Sequence, residues 1–71
     1  MPADSMVPQQ PAYPLRHLTI SELRGYRRQL EQAIAYFDTR DPVPPVRGDL
    51  QARLDAVTAE QDERARIAAD A

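Results

Sequence analysis

The heptapeptide ELRGYRR, residues 22–28, sets Arg24, Arg27 and Arg28 around Tyr26 within about two helical turns. A guanidinium presents a planar fork of donors that suits phosphate and carboxylate oxygens, so such a cluster is equipped to hold an anion. Arg16 and His17 stand just upstream and extend it. Arg24 and Arg28 are spaced i,i+4, where like charges on a helix repel mildly without a partner between them. On a helical wheel Glu31 and Asp38 fall in the same sector as the arginines, so the sector is mixed in sign. The acids near the C-terminus, Glu60, Asp62, Glu63 and Asp70, could neutralise the arginines if the chain folds back on itself. The leading expectation is a solvated, partly paired surface. Contact of Arg16, Arg24, Arg27 and Arg28 with an acidic protein partner, or with nucleic-acid phosphate, is the alternative.

Little else in the chain is equipped for reaction chemistry. With no cysteine and His17 as the single histidine, three or four zinc ligands cannot be assembled, and no thiol nucleophile exists. The serines are Ser5 and Ser21, and a triad would need one of them to converge with His17 and an acid in a cleft. Gly25 and Gly48 are the only glycines, too few for a phosphate-cradling loop. Tyr13, Tyr26 and Tyr36 do not share a face and form no stacking platform. These absences predict a protein that is not an enzyme and uses no cofactor, no metal and no small-molecule substrate.

At 71 residues the chain is one domain at most, near the lower size for independent folding, and it lacks the disulfides and metals that staple small folds. Its nine basic residues are all arginine, which fits GC-rich coding better than any need of solvation. The net charge of -2 opposes general attraction to nucleic acid or anionic lipid. MPADSMVPQQPAYP has neither the basic region nor the apolar run of a signal peptide, and no run is long enough to cross a bilayer, so a cytoplasmic protein with no membrane partner is expected.

The elements that must carry these residues can be read from local signals. Residues 1–17 hold Pro2, Pro8, Pro11 and Pro14 with few apolar anchors, and are expected to form a flexible, disordered arm. Thr19 and Glu22 make a capping box, and Leu18 and Leu23 are placed as a hydrophobic staple across it. From there Leu23, Tyr26, Leu30, Ala33, Ile34 and Phe37 form one apolar stripe, so a first helix is predicted over about 20–38. Prolines in TRDPVPP end it, leaving a loop over about 39–44. A second helix is predicted over about 45–68, starting at Pro45 or, because Gly48 is a poor helix former, with Asp49 as its cap. Val46, Leu50, Leu54 and Val57 share its apolar face, which thins beyond Val57 into Gln61, Arg64, Ala65 and Ala68, so the distal turns are expected to be weakly anchored.

So short a loop dictates an antiparallel pair. The expected fold is all-α: a coiled-coil-like, two-helix antiparallel hairpin over residues 18–71, completed by oligomerisation or by docking onto a larger protein. A lone hairpin is expected to hide only one side of each stripe. Leu23, Tyr26, Leu30, Ile34, Phe37, Val46, Leu50, Leu54 and Val57 are accordingly expected to form the partner interface.

The segments LRGYRRQLEQAIAYFD and PPVRGDLQARLDAVTAEQDERARI resemble short helical-hairpin proteins of high-GC actinobacteria, a group with no assigned activity. There an L-x-x-Y-R-R-x-L-E-x-A-I/L helix leads through a Pro-Val-Arg turn into a helix rich in Ala, Glu and Gln. The resemblance covers roughly residues 18–67 and implies the hairpin without adding a site. Gly48 and the three-proline loop depart from the pattern.

These readings converge on a small non-enzymatic interaction or adaptor protein, either a homodimer or docked onto a larger chain. A nucleic-acid-associated regulatory accessory using the arginine patch is the first alternative. A small structural subunit of a phage or mobile-element assembly is the second.

Overall fold

Thr19 adopts an extended backbone and closes the capping box: its Oγ1 accepts from the Glu22 amide at 3.0 Å, and its own amide donates to Glu22 Oε1 at 2.8 Å. This launches α1, Ile20–Asp38. In the computed structural model, which describes residues 7–70, α1 is followed by α2, Val46–Asp70, and preceded by a single 3-10 turn, Leu15–His17. Among the described residues there are no strands. The fold is all-helical, with α1 and α2 packed against each other.

The loop between them is built from local bonds. The Thr39 hydroxyl donates to the Tyr36 carbonyl at 2.7 Å and the Arg40 amide to the Phe37 carbonyl at 3.0 Å, which closes α1. Arg40 lies over the Tyr36 ring, 4.2 Å from its centroid. The Asp41–Pro42 peptide is cis. Pro45 immediately precedes α2, so the early start is the one adopted and Asp49 lies inside the first turn rather than capping it. At its other end α2 remains helical to Asp70, two residues past the expected stop, although its last turns are exposed.

Two cross-helix bonds fix the antiparallel register. Arg47 Nε donates to Asp38 Oδ1 at 2.9 Å beside the loop, and Arg27 Nη1 donates to Gln61 Oε1 at 2.8 Å toward the open end. Between them lies the core: Leu18, Leu23, Tyr26, Leu30, Ala33, Ile34, Phe37, Leu50 and Val57 are buried. Val7, Leu15, Tyr36, Val46 and Leu54 pack against it.

This arrangement corrects the largest expectation drawn from the sequence. Of the nine side chains assigned to a partner interface, Leu23, Tyr26, Leu30, Ile34, Phe37, Leu50 and Val57 are buried within the single chain, and Val46 and Leu54 are half-buried. They are core, not a docking face. The missing cover comes from the N-terminal arm. Residues 1–6 lie outside the described residues. Residues 7–14 are irregular, as their prolines require, yet Val7, Leu15 and Leu18 pack onto the helices. Apolar burial at three spaced positions, together with hydrogen bonds to the arm's own carbonyls, attaches a segment whose composition alone reads as unanchored.

Candidate functional site

The hairpin has two unlike faces. On one, the arm crosses the helices: Gln9, Pro11, Ala12 and Tyr13 lie along the flank of α1 made by Glu22, Gly25, Tyr26 and Gln29. Arg53 and Ala56 of α2 close the same side. Two arginines of α2 hold the arm there by its backbone. Arg53 Nη1 donates to the Pro8 carbonyl at 3.3 Å while Nη2 meets Asp49 at 2.9 Å. Arg64 Nη2 converges on three carbonyls, Leu18 at 2.7 Å, Leu15 at 3.1 Å and Arg16 at 3.2 Å, while its Nε donates to Glu60 at 2.8 Å.

Arg64 is the functional residue that the sequence reading missed. It sits seven positions after Val57 and so on the core face of α2, where a charge is costly unless its donors are satisfied. The Arg16 and Leu18 carbonyls supply acceptors, because a helical turn leaves its last carbonyls unpaired, and the Leu15 carbonyl, which already accepts from the Leu18 amide at 3.1 Å, takes a second bond. An arginine on the face that carries Leu50 and Val57 was the available signal, since such a residue must find acceptors somewhere in the fold.

The other face is free of the described residues of the arm, 7–17. At the open end of the hairpin Ile20, Leu23 and Arg24 of α1 and Gln61, Arg64, Ala65 and Ala68 of α2 line a groove of about 300 Å³. Ile20 is 61% exposed at its edge. The groove exists because the α2 stripe passes from leucine and valine to alanine: small side chains leave a trough between two helices whose axes cannot close further.

The four arginines singled out from the sequence do not form one clasp. Arg27 is half-buried and engaged, by Gln61 at 2.8 Å and Glu31 at 3.8 Å. Arg24 and Arg28 are exposed one turn apart on α1, and Arg16 is exposed in the 3-10 turn; none of these three guanidiniums meets an acid among the described residues. The acids expected to neutralise them are occupied within α2, Glu60 by Arg64, and Glu63 and Asp70 by Arg66. Pairs at i,i+3 and i,i+4 along one helix form without ordering a second element, so they win over cross-helix pairs at the same residues. Asp62 alone of those acids has no basic partner among the described residues. His17 and Ser21 are both exposed and Ser5 lies outside the described residues. No group of three or more metal-ligating side chains assembles among the described residues, and no helix there is long and apolar enough to cross a membrane.

Comparisons with protein families, with curated proteins and with solved structures return no match for this chain.

Proposed function

We propose that this chain is a non-enzymatic protein-interaction module that docks a polypeptide on the arm-free face of its hairpin, in the groove at the open end. The observation that supports this reading is the groove itself, where an exposed Ile20 adjoins Leu23, Ala65 and Ala68. Single exposed apolar residues are ordinary, but an apolar trough with a polar rim is the usual form of a docking surface. Small residues along its floor let a visiting helix approach closely. The proposed surface differs from the stripe read in the sequence, because that stripe is consumed in building the module.

The test is a photo-reactive residue placed at Ala68 in cells that produce the chain, with one at exposed Ala52 as control. A discrete covalent adduct from position 68, absent from position 52, is expected. Equal labelling from both positions, or none, would count against the reading.

A second reading, a nucleic-acid-associated accessory, is favoured by Arg16, Arg24 and Arg28, whose side chains have no acidic partner among the described residues. Phosphate contacts are strongest at low salt, so retention on duplex DNA at about 50 mM salt supports it and its absence there removes it.

A further inference from the structure

The charges flanking the groove are arranged in a way that specifies what docks there. On the arm-free face, α1 carries Arg24 and Arg28 along its outer flank, and α2 carries Asp55 and Asp62, spaced seven apart and therefore on one side of the helix. Arg24, Arg28 and Asp62 are exposed with no ion partner among the described residues, and Asp55 accepts only from Gln51, at 2.9 Å. The Arg27 to Gln61 bond sets which turns lie level: counting back from Arg27 and forward from Gln61, Arg24 falls within about one turn of Asp62. The two nevertheless stand on opposite flanks, so they do not pair within one chain. One edge of the face is basic and the other acidic, with the apolar groove between them.

We propose that the occupant of this groove is a second copy of this chain, related by a two-fold axis along the hairpin's length; the inference rests on the docking function proposed above. That rotation lays α1 of each copy over α2 of the other, with both open ends at the same end. It brings Arg24 of each copy against Asp62 of the other, twice, and places Arg28 between Asp55 and Asp62 of the other copy. It also presses Ile20, Ala65 and Ala68 of the two copies together. An isologous contact must be self-complementary, and a face with a basic edge, an acidic edge and an apolar centre meets that requirement. An unrelated acidic partner would satisfy Arg24 and Arg28 but would leave Asp55 and Asp62 facing like charge. Glu31, also on the α1 flank, is already met by Arg27 at 3.8 Å and adds little repulsion.

The full chain is examined by sedimentation equilibrium across a wide concentration range, alongside Arg24→Glu, Asp62→Arg and the double variant. A dimer is expected for the natural sequence. Each single reversal should weaken it by about tenfold or more, and the double reversal should restore most of the loss, because the pair is reformed with its signs exchanged. Both positions are exposed, so circular dichroism at dilute concentration should be unchanged in every variant. A natural chain that stays monomeric at all concentrations overturns the inference, as does a dimer indifferent to both reversals or one that the double reversal fails to rescue. The cross-link from Ala68 keeps the two proposals apart. An adduct of twice the 8.0 kDa chain mass supports self-pairing, whereas a single adduct of other mass retains the docking function and overturns the second copy as its occupant.

Discussion

Arg64 shows how one residue can decide the attachment of a whole segment. Its guanidinium serves Glu60 and three carbonyls of the turn that precedes α1, so replacing it takes the donor from the part-buried Leu18 carbonyl and leaves the Leu15 carbonyl with the Leu18 amide alone. Unsatisfied polar groups at such a position cost about 1–3 kcal/mol, and Arg64→Ala is expected to lower stability by that order. The loss should be local first. The His17 and Leu18 amides, bonded to the Pro14 and Leu15 carbonyls, should exchange with deuterium faster in the variant, while amides in the middle of α1 should slow or quicken only with global stability. Arg64→Lys should recover only part of the effect, since an ammonium cannot reproduce the fork. Equal exchange at His17 and Leu18 in both proteins would show that the arm is held without it. At the same scale Thr19→Ala should cost about 1 kcal/mol in a denaturation midpoint, with Thr19→Ser nearly neutral, because serine keeps the hydroxyl that accepts from Glu22.

The helices themselves were legible because their determinants are local. A cap, a staple, a stripe of period 3.6 and a proline stop each act within a few residues, and together they fixed α1 to the residue and α2 to within two. Gly25 and Gly48 test how much of that helix formation is intrinsic. Both are exposed, and a Cβ added at either meets nothing within 4 Å, so alanine brings helix propensity without strain. Gly25→Ala and Gly48→Ala are each expected to stabilise by about 0.5–1 kcal/mol, read as a higher urea midpoint with unchanged slope. What the sequence concealed depended on contacts distant along the chain. Pro8, Pro11 and Pro14 signal an irregular path correctly, but an irregular path can still be fastened, and its fasteners are backbone carbonyls, which every sequence has and no composition advertises. Val7 and Leu15 were too widely spaced to register as a stripe. The arginines of α1 were assigned partners in α2 that α2 had already taken, because the hairpin register says which turns are level but not which of several neighbours a carboxylate will choose.

At the scale of the molecule, covering the stripe with the arm changes what association must accomplish. The single chain already buries or half-buries the large apolar side chains of both stripes, so a partner is not needed to complete that core; any contact on the remaining face would be polar-rimmed and modest rather than obligate. The shape then becomes diagnostic. The chain is elongated, measuring 47 × 20 × 14 Å. Two copies stacked on their free faces, about an axis along the rod, should keep a maximum dimension close to that of one copy while roughly doubling in thickness. Pairing through the exposed tips, near Ile67 at the open end or Val43 in the loop, should instead lengthen the particle. Small-angle scattering over a concentration series separates these outcomes, because a side-by-side dimer raises the cross-sectional radius with little change in length and a tip-to-tip dimer does the reverse. Raising the salt should shift the side-by-side species toward monomer, since its proposed pairs are exposed charges that ions screen, whereas a contact made only by isoleucine and valine should tighten or hold.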